Sequence, residues 1–327
     1  MLCAVPPGTA DEVCLKRRAR RAAVAMLALL YGSAALTGAI GIAADAHGAV
    51  SVTDDTGRSI SLAHAPQRIA SLAPGATEML FAAGAGDRVI ATVEYSNDPP
   101  QARLVPRIGD AAAIDIERLV ALHADIVVVW PEGGNPAQIA AVERVGLPVY
   151  REHVDAFSEF PAALRRLGAL AGTDAAADQA ARALEAQLAA LTKRYAHAAP
   201  VTVLLQIWDR PVYTVGGMHL ISDSLRLCGA RNVFGDLQEA APVVDVEAVI
   251  ARNPDMIIAA APPGAAAAWL AQWKPFGALK AVRAGRLIPF EDQRLTGLGP
   301  SALTATAALC QLIEARRAAP SPGGSNP

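Results

Sequence analysis

Four short segments place large aromatics or clustered charges beside amides, each directly after an apolar run. They are Tyr95-Ser96-Asn97 after VIATVE, Trp130-Pro131-Glu132-Gly133-Gly134-Asn135 after DIVVV, Trp208-Asp209-Arg210 after VTVLLQI, and Glu291-Asp292-Gln293-Arg294 after GRLIPF. Aromatic faces with a few hydrogen-bonding groups suit a large, flat, partly apolar guest. Catalytic signatures are missing: the chain has no G-x-S-x-G elbow, no Walker A loop and no G-x-G-x-x-G opening a helix. The six histidines, at 47, 64, 123, 153, 197 and 219, form no pair at i+3 or i+4. His153, just beyond an apolar run, is one candidate ligand for a metal site built from strand ends, with Asp292 as a second. That site is what a metal-dependent enzyme would need. Trp269 and Trp273 lie four apart on an expected helix and read as packing.

These segments need elements that carry them to one place. From Arg68 onward, short β-branched runs alternate with helical stretches: RIASLAP, VIATVEYS, DIVVVW and LPVYREH as strands in the first half, VTVLLQIW, NVFG, DMIIAAA and GRLIPF in the second. Uninterrupted apolar strands between helices imply parallel sheets covered on both faces, the α/β class. In such sheets ligands bind beyond the carboxyl ends of the strands, where the four segments fall. Asp174 to Ala199 contains no proline or glycine, is rich in alanine and leucine, and repeats Leu184, Leu188 and Leu191 along one face. At 1.5 Å per residue, some 22 residues of helix would run about 33 Å. The expected architecture is two similar three-layer α/β lobes, 47–172 and 200–317, joined by one long helix over 173–199, with a loose tail over 318–327.

The halves repeat one another. Ile114-Asp115-Ile116-Glu117 returns 130 residues later as Val244-Asp245-Val246-Glu247, and Asp125-Ile126-Val127 as Asp255-Met256-Ile257. Each first Asp can cap a helix, and each Glu sits in the first turn where the helix dipole favours it.

A basic run at Lys16–Arg21, the apolar stretch Ala22–Ala44 and a small-x-small ending at Ala44-Asp45-Ala46 read as a cleaved export signal over 1–46; the rival reading is an uncleaved anchor, since the apolar run is long enough to span a bilayer. The remaining chain carries a net charge of −4 with no basic surface, which argues against nucleic acid. Removal of the signal takes Cys3 and Cys14 with it; Cys228 and Cys310 remain, an even pair in an exported chain and an expected disulfide.

The blocks RIASLAPGATEMLFAAGAGDRVIATVEYSNDPPQA, IDIERLVALHADIVVVWPEGGN, SDSLRLCGARNVFGD and VDVEAVIARNPDMII resemble the periplasmic binding proteins with a helical backbone that serve ABC importers of ferric siderophores, haem and cobalamin. Tyr95 in YSNDPP, Trp130 in VVWPEGGN and the cysteine pair resemble the cobalamin branch. The resemblance implies a periplasmic, monomeric receptor without a cofactor of its own. It would hold cobalamin between its lobes and hand it to a permease and its ATPase; haem or a ferric siderophore is the alternative cargo. It further implies ligand contacts from Tyr95, Trp130, Trp208, Asp292, Gln293 and Arg294, and permease docking through Glu117 and Glu247. The chain departs from the cobalamin pattern after Gly109, where Asp110-Ala111-Ala112 replaces a tryptophan, and near Ala241-Pro242, where another is absent.

Overall fold

The structure is a computed structural model that describes residues 48–110, 113–131 and 134–318. The expected export signal and nearly all of the expected tail lie outside the described residues. Among those described, no helix is long and apolar enough to cross a membrane.

The chain opens with an antiparallel hairpin, β1 (Val50–Thr53) and β2 (Ser59–Leu62). The sequence reading places no element there, because only short alternating runs flank the Asp54–Gly57 turn. The first lobe then runs β3 (Ile69–Ser71), α1 (Pro74–Ala82), β4 (Val89–Ala91), α2 (Ile116–Ala121), β5 (Ile126–Val129), α3 (Pro136–Arg144), β6 (Val149–Arg151) and α4 (Phe160–Ala171). Helix α5 (Asp174–Tyr195) leads to the second lobe: β7 (Val201–Gln206), α6 (Leu220–Leu227), β8 (Ala230–Asn232), α7 (Val246–Arg252), β9 (Met256–Ala260), α8 (Ala266–Ala271), α9 (Lys280–Arg283), β10 (Leu287–Phe290), α10 (Arg294–Gly297) and α11 (Ala302–Ala318).

Both sheets are wholly parallel, and their strand orders are one pattern: β4-β3-β5-β6 and β8-β7-β9-β10. Successive residues of a strand point to opposite faces. Ile126 and Val128 of β5 accordingly enter one core while Val127 and Val129 enter another. In β9, Met256 and Ile258 divide from Ile257 and Ala259 in the same way. Each lobe is therefore a sheet sandwiched between helical layers.

Helix α5 braces the two lobes. Ala177, Ala181, Leu184 and Leu188 pack into the first lobe's core; Leu191 and Tyr195 pack into the second's. Its partner α4, absent from the sequence expectation, lies close enough that a Cβ on Gly168 would sit 2.3 Å from the Ala177 Cβ. The chain turns between them at Gly172, whose φ of 68° suits glycine.

One strand is displaced from its expected place. The second lobe's edge strand is Ala230–Asn232 rather than Asn232–Gly235. Asn232 ends it: its side chain donates to Val215 O (2.7 Å) and accepts from Phe234 N (2.9 Å), turning the chain away from the sheet. Cys228, at the end of α6, is disulfide-bonded to Cys310 of α11.

Candidate functional site

A cavity of about 630 Å³ opens between the lobes. Its first wall comes from the carboxyl ends of parallel strands: Leu72 after β3, Tyr95 after β4, Trp130 after β5 and Glu152 after β6. Its second wall comes from the segment after β10, namely Gln293, Arg294, Leu298 and Ser301. Ligands of parallel α/β sheets bind beyond the carboxyl ends of the strands, and four such ends of the first lobe build this wall.

Tyr95 stands at the mouth, 81% exposed, with a backbone φ of 67° that a non-glycine residue rarely adopts. A buried hydroxyl network holds it there. Thr77 Oγ1 lies 2.6 Å from Thr92 Oγ1 and donates to Ser71 Oγ (2.8 Å); Thr92 Oγ1 in turn donates to Ser96 Oγ (2.9 Å). Arg107 adds a bond to Ser96 O (2.7 Å). The loop is thus pinned to α1 and β3, and strained backbone persists because its surroundings over-determine it. Trp130 is half-buried: it packs against the first lobe's core and also lines the cavity.

Five carboxylates line the same space, on Glu78, Glu94, Asp98, Asp110 and Glu152, against one guanidinium, Arg294. Burial pushes the Glu78 carboxyl above the ordinary glutamate range and Asp98 adds to this, while hydrogen bonds from Ser301 and the charge of Arg294 oppose it. The sequence reading names none of the five as a ligand contact. Asp110 stands in the segment where the cobalamin pattern is broken.

Of the expected contacts, the structure brings Tyr95, Trp130, Gln293 and Arg294 to the cavity, and it leaves Trp208 and Asp292 outside the lining. Trp208 is 53% exposed, and its ring packs 5.9 Å from that of Trp269. Gln206, itself held by Trp273 Nε1 (2.8 Å), donates to Trp208 O (3.2 Å). The ring's partner, Trp269, belongs to the same lobe. Asp292 is engaged by Arg294, which holds its carboxyl below the usual aspartate range.

Glu117 and Glu247 each occupy the second position of a short helix, α2 and α7, and both are exposed. Asp115 caps α2 by accepting from Arg118 N (2.9 Å), and Asp245 caps α7 by accepting from Ala248 N (2.7 Å). The structure places His153 beside Asp155. Its Nε2 lies 3.1 Å from Asp155 Oδ2, and no group of three potential ligands occurs among the described residues.

Two parallel-sheet lobes braced by one helix, with an aromatic-walled cleft between strand ends, define a solute-binding protein. Residues 69–293 match the periplasmic binding protein family, and the chain belongs to it. Over 257 residues it is 29% identical to the vitamin B12-binding protein of Vibrio parahaemolyticus, spanning 78% of this chain and 93% of that one. Its fold is similar to that of the periplasmic vitamin B12-binding protein BtuF of Vibrio cholerae, with a TM-score of 0.71 and 28% identity across 78% of this chain and 99% of the other. It is also similar to a periplasmic haem-binding protein from Pseudomonas aeruginosa, at a TM-score of 0.66 and 25% identity across 76% and 93% of the two chains.

Proposed function

We propose that this chain is the substrate-binding component of an ABC importer, exported to the periplasm by residues 1–46, and that its inter-lobe cavity captures cobalamin. The observation that carries the reading is the make-up of that cavity: Tyr95 and Trp130 offer aromatic surface, and five carboxylates outnumber one guanidinium. A corrin is a broad ring edged with primary amides, whose N–H groups are donors that carboxylates accept. Haem carries two propionates, which the same lining would repel. A corrinoid would fill the cavity and leave one edge at the mouth, where Tyr95 stands.

Tyr95, Trp130, Gln293 and Arg294 serve as direct contacts, with Asp292 orienting Arg294. The exposed glutamates dock the loaded protein. Glu117 and Glu247 stand at equivalent places in a duplicated fold, which suits a permease with two-fold symmetry presenting cations to both. Rim charges of this kind steer association and orientation more than they set ligand affinity.

Titration with cyanocobalamin, followed by tryptophan fluorescence, tests the proposal. Saturable quenching that weakens in Trp130→Phe is the expected result. No response up to high micromolar cyanocobalamin, or tighter binding of hemin under the same conditions, overturns it.

A further inference from the structure

Two carboxylates cross between the lobes, and they do so by one rule. Glu78, in the middle of α1, accepts from the backbone N–H of Ser301 and from its hydroxyl (2.9 Å), at the residue just before α11. Asp223, on α6, accepts from the backbone N–H of Phe157 (2.7 Å), three residues before α4. Helices α1 and α6 each follow the first strand of their lobe's sheet; α4 and α11 follow the last strand of theirs. The duplicated fold therefore makes the same contact once in each direction.

The surroundings are tight. A Cβ on Gly75 would lie 2.9 Å from Leu298 O across the cleft floor, and one on Gly299 would strike the Glu78 carboxylate at 2.2 Å. Leu220, the first residue of α6, packs into the first lobe's core rather than its own. The two carboxylates differ in one respect. Asp223 also receives Arg226 and lies away from the cavity, whereas Glu78 is part of the cavity wall.

We propose that Glu78 and Asp223 are paired latches that set the separation of the lobes, and that Glu78 is a positioning residue for the guest, holding the Leu298–Ser301 wall at its working distance from Tyr95 and Trp130. The second half of the proposal rests on the cleft being the ligand site; the first half does not. A latch of this kind limits closure on binding to small movements about α5, because a larger movement would break the bond from Ser301 N–H to Glu78 and that from the buried Phe157 N–H to Asp223.

The test separates the two halves. Spin labels at Gln101→Cys and Gln238→Cys report the inter-lobe distance distribution without ligand, and amide hydrogen exchange reports Ser301 and Phe157. Glu78→Ala is expected to broaden the distances and to speed Ser301 exchange at least tenfold; Asp223→Ala is expected to do the same at Phe157. Glu78→Gln, which keeps an acceptor, is expected to restore most of both. Cyanocobalamin is expected to bind at least tenfold more weakly to Glu78→Ala, with a smaller loss for Asp223→Ala. Unchanged distances and exchange in both alanine variants overturn the latches. Weak binding by Glu78→Ala at unchanged distances would show a direct contact and overturn the positioning role. Absence of cyanocobalamin binding in the unsubstituted protein would sink the cargo reading while the distances still judge the latches.

Discussion

Asp292 holds Arg294 through two parallel contacts, Nε to Oδ1 at 2.9 Å and a terminal nitrogen to Oδ2 at 2.6 Å. A bidentate pair fixes the guanidinium plane as well as its position. Only Arg294 reaches the cavity lining, so the aspartate acts on the guest through it. Asp292→Ala is expected to weaken cyanocobalamin binding by about 1 kcal/mol, roughly fivefold, mainly through faster dissociation. Arg294→Ala should lose at least as much. Stopped-flow association and dissociation rates check this; an unchanged dissociation rate in Asp292→Ala would remove the aspartate from the site.

The hydroxyls beneath Tyr95 offer a contrast between stability and binding. Thr92→Val removes one hydroxyl of a buried network and leaves Thr77 and Ser96 with one partner fewer each. The expected cost is about 1 to 3 kcal/mol of stability. Tyr95→Ala removes an exposed ring, so it should leave the melting temperature nearly unchanged and weaken the guest. Calorimetric melting of both variants beside ligand titration tells the two roles apart.

His219 should shape the acid limb of stability. Its Nδ1 accepts from Ile221 N (3.1 Å) at the start of α6, so the ring must be neutral to cap the helix. Burial pushes its pKa from 6.5 down to about 4, with Asp155 opposing. An unfolded chain takes up a proton near pH 6.5 that the fold refuses until about pH 4. The stability this residue supports is therefore whole above 6.5 and falls through that window. At about 1.4 kcal/mol per pH unit the loss approaches roughly 3 kcal/mol. His219→Asn keeps a capping acceptor without the proton, and melting curves from pH 7 to 4 should be flatter for it. Parallel curves would rule out this origin of acid sensitivity.

Reversing charge at both Glu117→Lys and Glu247→Lys should abolish vitamin B12 uptake in cells while cyanocobalamin affinity stays within about twofold. Single reversals should fall between. Equal losses of uptake and affinity would make the two glutamates part of the fold rather than of a docking face.

Much of this architecture is legible in local pattern. Short apolar runs such as IVVV and MIIAA, set between helical stretches, read as strands covered on both faces, and their repetition at a fixed interval announces two kindred lobes. Helix α5 is equally plain, from alanine, leucine and the absence of breakers over 22 residues. The edge strand ends at Asn232 through a side-chain turn, which propensity does not signal. Helix α4 carries a weak start signal, since Phe160-Pro161 opens it without an Asp, Ser or Thr cap in a side-chain hydrogen bond.

The sequence by itself therefore determined the class, the duplication, the cysteine pair and the loops that could meet a guest. The class and the loops follow from the pattern within each segment, the duplication from that pattern recurring, and the cysteine pair from the two that remain once the export signal is set aside. Only the tertiary structure decided which of those loops meet. It turned Trp208 onto Trp269, set Asp292 behind Arg294, and brought Glu78 against Ser301, 223 positions away along the chain. Such contacts depend on how two separately folded sheets are held by α5, and no local periodicity encodes that distance.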